Sequence, residues 1–240
     1  MQTFTRYFNE QVSTSINLWQ RDLNLMLLTY QKLQTNMNNA DYHDSLRADI
    51  VHQINTLHKD IILHVKSISH QAYAKLYRFH ELEYKLHLLN SEYKVPRLIE
   101  FTKYEINELY KWIKIFLTSI LDTRVLTEPG DNEYHTNFVQ KISSRDFRSI
   151  DSITKDSVDQ AWTSIEASYY LLKHAVTLPD KLKAVSIVLN AYHDEGKLFG
   201  GSLSDSDSKY YFAPFTTEQF DNLSNINPNK IRREITKEIV

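Results

Sequence analysis

The sequence predicts an all-α protein: an N-terminal helical, bundle-like domain followed by a small C-terminal helical domain that closes in a helix-turn-helix, with or without a wing. Three observations predict it. Apolar residues recur at three- and four-residue steps through most of the chain, the spacing of one helix face. Glycine occurs four times in 240 residues, about a quarter of the usual ~7%, which starves an α/β fold of the turns and phosphate loops it needs. Between residues 123 and 157 nothing alternates cleanly enough to claim a strand, and KLFGGSLSDSDSKYYFAP at 197–214 reads as a loop or small hairpin.

The first stripe runs Phe8, Val12, Ile16, Trp19, Leu23, Leu27, Tyr30 and Leu33, and stops at the turn chemistry of NMNNADYHD. A second runs Leu46, Ile50, Ile54, Leu57, Ile61 and Val65 to a break at Ser67-Ile68-Ser69, then Tyr73, Leu76, Tyr77, His80, Tyr84 and Leu88 resume. Pro96 suits the first turn of the next helix, where its missing N–H would be unpaired in any case. That helix carries Ile99, Phe101, Ile106, Leu109, Trp112, Ile113, Phe116, Leu117 and Ile120, a face broad enough to be core.

Residues 1–122 therefore read as the N-terminal domain. Residues 123–157, with the turn-rich TEPGDNEYHTN, read as an irregular linker. Residues 158–240 read as the C-terminal domain. It opens on Val158, Trp162, Ile165, Tyr169, Leu172 and Val176, which Pro179 ends. A short helix follows from Asp180, with Leu182, Val185, Val188, Leu189 and Tyr192 inward and Gly196 as its C-terminal stop.

Composition excludes several function classes. Lys plus Arg number 28 against 30 Asp plus Glu, a net charge of −2, so no global field draws nucleic acid or acidic lipid. The absence of cysteine removes disulfides, thiolate metal sites and thiol catalysis, and suits a cytoplasmic location. No apolar run reaches the ~18 residues of a membrane span, and MQTFTRYFNEQVSTS lacks a signal-peptide core. GxGxxG, GxxxxGK and GxSxG are missing as well, so nucleotide-cradling and nucleophile-elbow chemistry lose their backbone device. Neither a cofactor nor a resident metal is expected.

The sharpest local signal is residues 216–240. Thr216 and Gln219 have capping-box spacing, and Phe220 and Leu223 give that helix an apolar side. Ser224-Asn225-Ile226 reads as a tight turn, with Asn225 suited to the left-handed conformation. Asn227 then offers an N-cap and Pro228 the first helical position. Ile231, Ile235 and Ile239 form one face, leaving Asn229, Lys230, Arg232, Arg233 and Thr236 elsewhere. In a helix-turn-helix the second helix enters the major groove, so Asn229, Lys230, Arg232 and Arg233 are the expected DNA contacts. Asp221 sits where the first helix usually has a small residue, and Glu234 and Glu238 dilute the basic face.

Val65-Lys66-Ser67-Ile68, Lys75-Leu76-Tyr77, Glu81 and Glu83 within residues 62–83 resemble the central stretch of RteC-like regulators of conjugative elements. Residues 103–116 are similar to the helix that follows there. Val188-Leu189-Asn190-Ala191-Tyr192, then Gly196 and Gly200-Gly201, resemble the opening of that family's winged-helix region. The family's Trp-Thr-Gly-Ser-Lys run is matched only as Ala161-Trp162-Thr163-Ser164. The resemblance implies a helical N-terminal domain, serving dimer or protein-partner contacts in this reading, and a C-terminal domain binding DNA as a transcription regulator.

Two other readings stand beside it. One is a non-catalytic helical protein-interaction module. The other is a HEPN-type ribonuclease using Arg47 and His52, whose Arg-x4-His spacing pairs a phosphate clamp with a proton carrier. With ten of each residue in the chain, roughly 0.4 such matches arise by chance, so that motif weighs little. His193-Asp194 lacks the other ligands of a metal phosphohydrolase. His80, Glu83 and His87 share a helix face that a cation would accept, but no Glu-x-x-His pair accompanies them. The 15 Tyr and 11 Phe fall mostly on the apolar stripes and read as core.

Overall fold

The structure is a computed structural model and describes residues 2–38, 44–127, 170–198, 215–223 and 225–240. Every element among them is helical: α1 (Gln2–Asn38), α2 (Asp44–Ser67), α3 (Ser69–Leu88), a π-helical turn (Leu89–Tyr93), α4 (Pro96–Thr127), α5 (Leu178–Leu198), α6 (Thr217–Leu223) and α7 (Pro228–Ile239). Residues 170–174 form one further helical turn. No described helix is long and apolar enough to cross a membrane. The linker expected at 123–157 and the stripe from Val158 to Tyr169 lie almost wholly outside the described residues; only α4 reaches into them, continuing to Thr127.

The chain divides into two compact units, Met1–Ser69 with Ile115–Glu128, and His70–Lys114 with Pro129–Val240. The core of the first is the α1 stripe read from the sequence, Ile16, Trp19, Leu23, Leu27 and Tyr30, with Ile61, Val65, Phe116, Leu117 and Ile120. Trp19 is held twice. Its Nε1 donates to the His64 carbonyl at 2.9 Å, and the His64 Nε2 lies 2.9 Å from the Trp19 carbonyl. A carbonyl oxygen only accepts, so Nε2 carries the His64 proton. The two rings stack with centroids 5.5 Å apart. Burial of Tyr30 and His58, packed edge to face, pushes the tyrosine pKa up and the histidine pKa down.

In the second unit, Ala72, Leu76, Phe79 and Leu82 of α3 are buried, as are Ile106, Tyr110 and Ile113 of α4. Val185, Val188 and Leu189 of α5 are buried too, as are Phe215, Phe220 and Leu223. The Tyr110 hydroxyl donates to the Leu172 carbonyl at 3.3 Å, and burial pushes its pKa to about 12.

Periodicity identifies the faces better than their limits. Leu46 is 50% exposed, Phe101 54% and Val176 80%, although each lies on an apolar stripe. Spacing places a residue on a face and says nothing of what covers it. Gly196 does not stop α5, which continues to Leu198.

The π-helical turn has no forerunner in the sequence pattern. It follows α3 directly and ends at Lys94, whose φ of 52° is the one positive value at a non-glycine among the described residues. The Lys94 N–H donates to the Leu89 carbonyl at 2.7 Å, closing the turn. Pro96 then opens α4, and the residue before a proline is biased away from helix. This arrangement fixes where Glu92 sits.

Candidate nucleic-acid interface

The C-terminal helix pair is built from the caps its sequence carries. Thr216 Oγ1 accepts from the Gln219 N–H at 3.2 Å, and Gln219 Oε1 accepts from the Thr216 N–H at 2.9 Å, a complete capping box at the start of α6. Asn227 has extended backbone, φ −87° and ψ 100°, and its side chain accepts from the Asn229 and Lys230 amides, with Pro228 at the helix start. Between the helices, the Tyr77 hydroxyl donates to the Asn225 carbonyl at 3.1 Å and ties the turn to α3. The Asn225 N–H donates to the Asn222 carbonyl at 3.0 Å.

Ile231 and Ile235 are 1% and 0% exposed and pack on Leu88 and Leu89, with Tyr84, Tyr93, Leu98, Ile99 and Ile226 around them. Burying two such side chains contributes roughly 3–6 kcal/mol to docking α7. Ile239, expected on the same face, is 47% exposed at the helix end.

Charge completes the docking. Glu81 of α3, with its side chain 5% exposed, accepts from Arg78 at 3.2 Å and from Lys230 at 2.6 Å. Arg78 also lies 3.5 Å from Glu234. Lys85, 2% exposed, donates to both oxygens of Glu238 at 2.8 Å. Arg232 donates to Glu92 on the π turn at 2.9 Å. Burial works against the Arg78 charge, but Glu81, Glu105 and Glu234 together outweigh it and hold the guanidinium above its ordinary value. The hydrogen bond that Lys230 donates to Glu81 likewise raises the pKa of its ammonium.

The four residues expected to contact DNA therefore separate. Lys230 and Arg232 are engaged by α3 and the π turn. Asn229 and Arg233 are exposed, and the Arg233 Nε donates to the Asn229 carbonyl at 3.1 Å. Both carboxylates of α7, Glu234 and Glu238, turn toward the cations of α3 and do not dilute the outward face. At about 100° per residue, Asn229, Arg233, Thr236 and Lys237 share an arc of roughly 100° opposite Ile231 and Ile235. All four are exposed, and no carboxylate among the described residues pairs with Arg233 or Lys237. Lys237 joins the face although the sequence pattern did not single it out; it lies one turn beyond Arg233.

Glu105 of α4 borders this network. Burial raises its pKa above the ordinary 4.5, with Arg78 and Lys85 pulling it back and Glu238 and Glu234 adding to the rise. A raised folded value stabilises below the unfolded pKa, and that stabilisation is lost as pH rises through the folded value. Glu105→Gln is therefore expected to raise the melting temperature at pH 7 by about 1–3 °C, a figure kept small because the residue is only partly buried. The gain should vanish near pH 4. Equal melting temperatures at pH 7 would rule out this role for Glu105.

The remaining candidates form no comparable arrangement. Arg47 and His52 are exposed on α2 and about 140° apart around its axis. His80 Nδ1 lies 3.4 Å from Glu83. No group of three or more His, Asp or Glu among the described residues is placed to hold a metal ion. The side chains of His193 and Asp194 lie outside the described residues.

Compared with family models, with curated proteins and with solved structures, the chain has no match.

Proposed function

We propose that the chain is a DNA-binding regulator whose α6–α7 pair is a helix-turn-helix, with α7 as the reading helix. The observation that carries this is the sorting of charge on α7: Glu234 and Glu238 pair inward with Arg78 and Lys85, leaving Asn229, Arg233, Thr236 and Lys237 outward. Arg and Lys answer phosphate, while Asn, Thr and Arg side chains match base edges in the major groove. The resemblance to RteC-like regulators supports the same reading. Replacing Arg233 and Lys237 together by Ala should weaken binding to duplex DNA about tenfold near 100 mM salt, measured by fluorescence anisotropy, without lowering the melting temperature. Unchanged affinity would remove the proposal.

A different observation favours a non-catalytic interaction module. Leu18, Leu25 and Leu28 of α1 are 47%, 58% and 54% exposed and share one side of the helix, a surface suited to a protein partner or a second copy. If that is the whole function, no DNA binding occurs even at ~50 mM salt.

A further inference from the structure

Two cations flank the outward face of α7, and their partners differ in kind. Lys230 reaches Glu81, a carboxylate 5% exposed that also takes Arg78. Withdrawing Lys230 would leave a buried charge with one partner, so that pair is structural. Arg232 reaches Glu92, and the two side chains are 42% and 47% exposed. An exposed pair is weak and screened, and it exchanges readily for another anion.

Glu92 is nevertheless held in place. It belongs to the π-helical turn closed by the Lys94 N–H on the Leu89 carbonyl at 2.7 Å. Leu89 is 0% exposed and packs in the same cluster as Ile231 and Ile235. The backbone carrying the carboxylate is thus anchored in the cluster that seats α7. At 2.9 Å, the carboxylate oxygen makes with Arg232 the charge-assisted bond that a phosphate oxygen would make.

Resting on the DNA reading above, we infer that Glu92 is an intramolecular stand-in for a DNA phosphate: it occupies Arg232 in the free protein and yields it to the backbone on binding. Glu92 thereby lowers affinity and sets how strongly DNA must compete before α7 engages fully.

The test uses the full chain and a labelled random-sequence duplex, by anisotropy at ~100 mM salt, with Glu92→Gln made in the parent and in Arg232→Ala. Glu92→Gln should tighten binding about two- to fivefold in the parent and leave it unchanged when Arg232 is alanine. An equal gain in both backgrounds would show general repulsion of DNA by Glu92 and overturn the inference, as would no gain in the parent; in both cases the DNA reading stands. Binding by Glu92→Gln at ~100 mM salt where the parent binds only at ~50 mM supports the inference in its strongest form. If no variant binds, the DNA reading falls and the inference with it.

Discussion

Glu238→Ala is expected to destabilise the second unit by about 2–3 kcal/mol and, under the proposed DNA-binding function, to weaken duplex binding although it removes a negative charge. Lys85 is 2% exposed and both of its bonds to Glu238 are 2.8 Å long. Removing the carboxylate strands a buried ammonium, which typically costs about 3–5 kcal/mol. The figure is lower here because Glu238 is itself 38% exposed and Glu105 acts on the same lysine. The sign on affinity is diagnostic. Taking a carboxylate from the DNA-facing part of a protein ordinarily tightens binding; here it loosens the seat of α7. Adding Lys85→Met should recover most of the stability, since an apolar pair of similar volume has no charge to satisfy. Urea denaturation reads the first effect and anisotropy the second. A destabilisation below about 0.5 kcal/mol, or tighter DNA binding, would show that the pair does not hold the helix.

Phe116→Ala should cost about 3–5 kcal/mol in the first unit, the range for deleting a fully buried phenyl ring. The residue is 0% exposed, and its ring lies 5.8 Å from that of Trp19. Because Trp19 is also clamped by His64, the cavity cannot close by a simple shift of the indole. The effect should appear in urea denaturation with a change in tryptophan emission. A cost under 1 kcal/mol would mean that the site collapses freely and that this core is less rigid than its packing implies.

Much of this was legible in the residues. The stripe from Ile16 to Tyr30 is buried as its spacing requires, and the caps at Thr216, Gln219 and Asn227 make the hydrogen bonds their residue types call for. Those signals are local, complete within four or five positions. The π turn was not legible, because residues 89–93 contain no glycine; Leu89 is instead buried with Leu88, Ile231 and Ile235. The exposure of Phe101 and the path of α5 through Gly196 are likewise set by tertiary context.

The candidate interface was half legible. Helical spacing already puts Glu234 and Glu238 on the side of Ile231 and Ile235, and Arg233 with Lys237 opposite. What spacing cannot supply is the partner. Lys85 and Glu238 are 153 positions apart, and Lys230 and Glu81 are 149. Without those pairings, Lys230 and Arg232 look as available as Arg233, and the two glutamates look like a fault in a basic helix.

The salt dependence of duplex binding, measured on the parent and on Arg233→Ala/Lys237→Ala from ~50 to ~200 mM, tests the outward face of α7 most directly. Each phosphate that is no longer neutralised should reduce the slope of log affinity against log salt by about 0.9, so the double variant should be shallower by about 2. Parallel slopes, or a parent that does not bind at ~50 mM, would contradict the assignment of that face to DNA.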